Sequence, residues 1–335
     1  MTLPVLHIWP GHWGLFSIHP PSLTAVLHLQ LTIPGKFSIS HCTNPDLSPS
    51  GTLPFLTHGD QLPLSSLSSI IKYISSLEGD TNLDASLNSF EVSQKTAWCS
   101  HVEANIGNLV SYMLYSLPAN WAKLTHPTLA YSLPVPQRYY VPQRIRNMHR
   151  ARLEAAGLWN QQPVESKSLE AAADHKEQIA QTFQRDKVVQ TARDCLDIYA
   201  RFLGKNQFFY HGRLTTLDIT VAAHVLLLSK PPFPDTLLSD LLTDSYPTLV
   251  AHAERVLERS LEVPAPLESR SNSHSIWSLI PSLPARPAKS EEDVHYERMT
   301  WGWFAIAVGS LGIYLLTMGS PIELNTSDDT EEGGM

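Results

Sequence analysis

From Met299 to Met318 the chain reads MTWGWFAIAVGSLGIYLLTM without one charged side chain, and the uncharged run continues to Ile322. Twenty residues of helix at about 1.5 Å each span roughly 30 Å, the thickness of a bilayer's hydrocarbon core. Trp301 and Trp303 stand at one end, where amphipathic rings favour the membrane–water interface. A buried core helix is the competing reading. Such helices usually keep a polar face or run shorter, and only a polar, acidic stretch (319–335) follows this one. We therefore expect a single transmembrane helix at 299–318, with the functional body before it.

Composition narrows what that body can be. The net charge is −8, from 24 Lys and Arg against 32 Asp and Glu, which argues against nucleic acid as a partner. Cys42, Cys99 and Cys195 lie far apart with no C-x-x-C, as in a chain kept in a reducing compartment without a disulfide framework. The start, MTLPVLHIWPGHWG, has neither a basic segment followed by an apolar run nor an Arg-rich helix, so neither a secretory signal nor a matrix transit peptide is expected. A lone C-terminal span implies insertion after translation with the body facing the cytosol. The endoplasmic reticulum, the peroxisome and the mitochondrial outer membrane stay open at this point. Basic residues before the span (Arg286, Lys289, Arg298) and none after it agree with that orientation.

Residues 1–80 alternate strand and helix. Leu3 to Ile8 reads as a buried strand, and Ser22 is placed to N-cap a helix from about Leu23 to Leu29. Phe37 to Cys42 alternates like a half-buried strand. Thr52 to Thr57 and Gln61 to Leu64 flank a His-Gly-Asp turn as a hairpin does. Leu67, Ile70, Ile71, Ile74 and Leu77 form a helical stripe.

Residues 81–262 read as all-helical. Phe90 to Leu117 and Asp186 to Leu203 are amphipathic, Gly157 to Gln184 is a helix or a mobile insertion, and a further helix starts at Tyr246. Thr215 and Asp218 have the spacing of a capping box before an apolar helix, Ile219 to Leu228. Arg138, Arg144, Arg146, Arg150 and Arg152 make the one basic cluster of an acidic chain. It is either a solvated helix face or a docking surface for an acidic partner or lipid headgroups. Residues 263–298, rich in Pro and Ser, read as a flexible linker.

The order β-α-β-β-β-α with Pro54 opening the third strand, then helices with G-x-x-T-x-x-D at Gly212 to Asp218, resembles the glutathione-transferase architecture. That is a thioredoxin-like α/β domain followed by an all-α domain. The resemblance implies a cis Leu53–Pro54 bond. Within that architecture, Ser48 to Pro54 (SPSGTLP) resembles the SP-x-G-x-LP stretch of metaxins, and Trp9, Gly14 and the helix from Ser22 resemble their W…G…L pattern. Leu133 to Arg146 and the YPTLV at Tyr246 to Val250 are similar to segments of the fungal relatives. The resemblance implies a non-enzymatic subunit of the mitochondrial outer-membrane sorting and assembly machinery. Its implied partners are the β-barrel core subunit, a second metaxin-like subunit, β-barrel precursors, the general import pore and membrane lipid.

Chemistry at the transferase site finds little support. The hydroxyls able to favour a glutathione thiolate are Ser17 and Ser22, and the acid–Ser pair that holds the γ-glutamyl end is replaced by Ser66 and Leu67. His7, His12 and His19 cluster without metal-site spacing, and no phosphate loop or G-x-S-x-G is present. No catalytic, cofactor-binding or metal-binding residue is assigned.

Overall fold

A computed structural model describes residues 3–42, 47–59, 62–77, 82–159, 170–210, 212–268, and 306, 309 and 310, with the side chains of 170–181 excepted. The chain divides into two compact units, Met1–Ser273 and His274–Met335. Almost all of the expected span, with Trp301 and Trp303, and all of the acidic stretch after it lie outside the described residues. Ile306, Gly309 and Ser310 are helical. Among the described residues, no helix is long and apolar enough to cross a membrane.

The first unit begins with β1 (Val5–Ile8), α1 (Pro20–Thr32), β2 (Ser38–His41) and β3 (Phe55–Thr57). β1 pairs parallel with β2, Val5 opposite Ser38, and antiparallel with β3, Val5 opposite Thr57. The hairpin expected after β3 is reduced to one bridge, in which Leu56 and Leu64 exchange N–H···O bonds of 2.8 and 2.9 Å. A fourth strand comes from the stretch expected to be linker. β4 (Leu267–Glu268) lies parallel to β2, and Gln30 of α1 donates to the Pro264 carbonyl at 2.6 Å. The order across the sheet is β3-β1-β2-β4.

Helix α2 (Leu67–Leu77) is followed by α3 (Ser89–Ser111), which Asn88 and Glu91 close with a reciprocal capping box. A π-helical turn (Tyr112–Ser116) leads to α4 (Pro118–Asn120), a second π turn (Trp121–Thr125) and α5 (His126–Ser132). Then come α6 (Val141–Ala155), α7 (Glu170–Leu203), α8 (Thr216–Ser229), α9 (Leu237–Ser245) and α10 (Pro247–Leu261). From Glu170 onward, the stretch read as helix or insertion is the first part of α7.

Two helices carry the packing. α8 is buried from Thr216 to Leu228 and packs against α1, α3, α9 and α10. A helix apolar on all sides must lie in a core. α1 is buried on both sides. Val26 and Leu29 face the sheet with Leu6, Phe37, Ile70 and Ile74, while Leu23 and Leu27 join the core of the helices.

One local expectation is corrected. Pro20 and Pro21 occupy the first two helical positions of α1, so His19 is the N-cap and Ser22 sits inside the first turn. Proline suits those positions because the amide it lacks has no partner there.

Candidate functional site

The recess that the fold shapes most closely lies where the β1–α1 loop meets α5 and α6. Gly11 lets the loop turn tightly, since a Cβ there would run into the Leu15 carbonyl oxygen. The loop contributes Trp9, Ile18 and His19. Leu53 enters from before Pro54, and the Leu53–Pro54 bond is cis. Tyr115, Leu129 and the α6 residues Val141, Arg144, Ile145, Met148 and His149 complete a cavity of about 70 Å3.

Two of its lining residues are histidines held neutral. The half-buried His19 is pushed down to about 3 by loss of water, with His149 and His224 adding to the effect. Burial, then Arg152, pushes His149 down to about 4. His149 stacks on Tyr115 at 4.2 Å between ring centres, and its Nδ1 lies 3.2 Å from Ser111 Oγ. His19 Nδ1 lies 3.2 Å from Ser22 Oγ, and the Ser17 hydroxyl accepts from the His19 backbone N–H at 3.3 Å. Ser17 and Ser22 are both fully buried, and neither lines the cavity.

A wider groove of about 790 Å3 runs between α2 and α3, reaching Asp84 and Thr216. Ser66 and Leu67 lie on its wall, where Ser66 Oγ accepts from the Ser69 N–H as a helix cap does. Cys99 also lines it, and burial pushes that thiol up to about 11, so it is not a thiolate near neutrality. Asp84 accepts from Lys95 Nζ at 2.8 Å and from the Thr216 N–H at 3.0 Å. Burial alone would raise this carboxyl, yet the Lys95 and Thr216 bonds outweigh it and hold it below the usual carboxylate range. The pair ties the start of α3 to the start of α8.

Asp218 is a buried junction. It accepts from the Thr215 N–H (2.8 Å) and hydroxyl (2.6 Å), the Phe209 N–H (2.9 Å) and His252 Nε2 (3.0 Å). Thr215 and Asp218 thus form the box before α8 while also fixing the loop before it and α10 behind it.

The five arginines do not act alike. Arg138 donates to the Leu133 carbonyl at 3.3 and 3.2 Å, and Arg152 to that of Glu103. Arg146 donates to the Tyr115 carbonyl at 3.0 Å, with its guanidinium 4.9 Å from the Trp121 ring centre and 5.3 Å from that of Trp159. Arg150 pairs with Glu154 at 2.6 Å and also approaches Trp159. Arg144 stands exposed at the cavity rim. The tryptophan stack went unseen in the sequence because Trp121 and Trp159 lie far from Arg146 along the chain. His7, His12 and His19 do not converge on a metal, and among the described residues no cluster of potential ligands could hold one.

Comparison with known proteins adds to this geometry. Residues 22–146 match the family described as "Outer mitochondrial membrane transport complex protein", and residues 192–256 match the glutathione S-transferase C-terminal domain. The chain is 25% identical to Metaxin-1 of Sus scrofa over 281 residues, 82% of each chain, and 25% identical to Metaxin-1 of Mus musculus over 70% of this chain and 68% of the relative. The chain belongs to the metaxin family. Among solved structures, this metaxin resembles a glutathione S-transferase of Ceriporiopsis subvermispora in complex with glutathione. The TM-score is 0.51 at 16% identity, covering 78% of this chain and 99% of the other. That likeness establishes the fold, a mixed α/β domain followed by a helical one. The first family match takes in α1, β2, β3, the cis proline and α6 as far as Arg146, and so encloses most of the cavity.

Proposed function

We propose that this chain is a non-enzymatic subunit of the mitochondrial outer-membrane sorting and assembly machinery. In this reading it aids the insertion, folding and release of β-barrel precursors, with its body on the cytosolic side and residues 299–318 as a membrane anchor. It works beside the β-barrel core subunit and a second metaxin-like subunit, and receives precursors from the general import pore.

The observation that carries the reading is the match of residues 22–146 to an outer mitochondrial membrane transport complex family, a stretch that supplies most of the cavity lining. The side-chain geometry supports it. Ser17 and Ser22, the two hydroxyls the transferase reading relies on, are spent on His19 and do not line the cavity.

The test is a gentle-detergent pull-down of the full chain from mitochondria, read by mass spectrometry. Recovery of an outer-membrane β-barrel assembly protein is expected, and its absence would sink the proposal. The likeness to a glutathione-bound transferase gives a second reading, a tail-anchored glutathione-transferase-like enzyme. Retention on glutathione resin that is lost in Ser17→Ala or Ser22→Ala would favour it.

A further inference from the structure

The face made by α5, the turn after it and α6 departs from the rest of the molecule in both charge and polarity. From His126 to Leu153 the chain carries five arginines, no lysine and no acidic residue, although the whole chain stands at −8. Large side chains lie open along the same stretch: Tyr131 is 85% exposed, Tyr139 76%, Val135 61%, Met148 55% and Tyr140 52%. Tyr, Met and Arg are the residues that protein interfaces concentrate at their centres.

The exposed face continues into a recess. Val141, Arg144, Ile145, Met148 and His149 follow helical spacing along α6, and all five line the cavity beside Leu53. At about 70 Å3 it is far below the several hundred Å3 of a typical small-molecule site, and it has room for about one apolar side chain. Its walls are mainly apolar (Trp9, Ile18, Leu53, Leu129), and Arg144 stands at the mouth.

The arginines also discriminate between kinds of partner. A guanidinium fork matches a carboxylate in two parallel bonds, whereas membrane-surface patches draw freely on flexible lysines. Here there are no lysines, and Arg138, Arg146 and Arg152 are each already held by a backbone carbonyl. Such a fixed array suits a partner of fixed shape better than a fluid lipid surface.

We propose that this face docks an acidic segment of a partner protein, which places one apolar side chain in the cavity and a neighbouring carboxylate against Arg144. The proposal rests on the subunit reading above and gives that reading a surface and a partner chemistry.

The experiment uses the full chain in detergent and two fluorescent peptides, an acidic peptide with one central leucine and its twin with glycine in that place. Burial of a leucine side chain should make the first bind about tenfold or more tightly than the second. Arg144→Glu should weaken leucine-peptide binding by about tenfold. Ile145→Trp, which fills the cavity, should abolish the preference for leucine. Equal binding of the two peptides by the unaltered chain would overturn the proposal without any variant needing to fold. Binding to phosphatidylcholine–cardiolipin vesicles with neither peptide bound would also overturn it, in favour of a lipid headgroup. If the pull-down recovers assembly partners while the peptides fail to bind, the surface is wrong and the subunit reading stands. If the peptides behave as expected and no assembly partner is recovered, the surface stands and the subunit reading falls.

Discussion

The Asp218 carboxylate lies 3.0 Å from His252 Nε2 where neither side chain meets solvent. A carboxylate only accepts, so the proton is on Nε2, and Nδ1 has no partner among the described residues. α8 and α10 are thereby joined at a point that also holds Thr215 and Phe209.

Asp218→Ala should therefore be among the most damaging single changes in the body. It strands four donors in a dry site, and we expect a loss of about 3–5 kcal/mol. Asp218→Asn keeps one acceptor oxygen and should cost less. A double-mutant cycle with His252→Ala, read by urea unfolding, should show the two effects to be non-additive. Strict additivity would mean the pair is not coupled.

Acid should weaken the fold well above the usual carboxylate range. Burial holds His19 near 3, and His28, His149 and His224 near 4, against an ordinary 6.5. Each binds its proton less tightly folded than unfolded. Their contribution is thus complete above about pH 6.5 and is lost as pH falls toward 4, at up to about 1.4 kcal/mol per pH unit for each histidine. Asp84 acts below that window, its contribution present above its unfolded value of 3.8 and lost as pH falls further. Urea midpoints compared at pH 7 and pH 5 should differ clearly, and His149→Gln should narrow the gap. A midpoint flat across that range would contradict the burial of these rings.

Arg146 should behave as a packing residue rather than as a surface charge. Its guanidinium lies over two tryptophans and bonds the Tyr115 carbonyl. Arg146→Lys keeps the charge but loses the flat stack and the fork, so we expect a loss of about 1–2 kcal/mol and a shift in tryptophan fluorescence. Arg150→Lys at an exposed pair should change stability by less than about 1 kcal/mol.

Gly107, near the C-terminal end of α3, gives a graded test. A Cβ there would meet His224 Nε2 at 3.4 Å and Arg152 Nη2 at 3.6 Å, ordinary contact distances. Gly107→Ala should be neutral or stabilising by up to about 1 kcal/mol, because alanine favours helix. Gly107→Leu should destabilise by about 1–3 kcal/mol through overpacking. Thermal melts of the two variants would separate these outcomes.

The sequence made the elements more legible than their joints. Apolar stripes located α2 and α3, and a continuous apolar run located α8, because both are local properties. The Thr215–Asp218 box was visible for the same reason, whereas the Phe209 and His252 bonds to Asp218 were not. Ser22 is a favourable cap type, but Pro20 and Pro21 start α1 earlier and leave it inside the first turn. The arginines show the limit most plainly. Charge pattern marked five of them as one surface, yet the Tyr115 and Glu103 carbonyls that hold Arg146 and Arg152 lie 31 and 49 residues away. β4 escaped notice because two residues paired on a sheet edge leave no periodic signal.

That short strand decides how a mechanical load reaches the body. A pull applied at Glu268 would load β4's pairing with β2 and the Gln30–Pro264 bond before it strained either core. These few contacts would peel first and release the six residues after Glu262, adding about 20 Å of leash at roughly 3.3–3.6 Å per residue. The β4 segment can thus yield length while both cores stay closed.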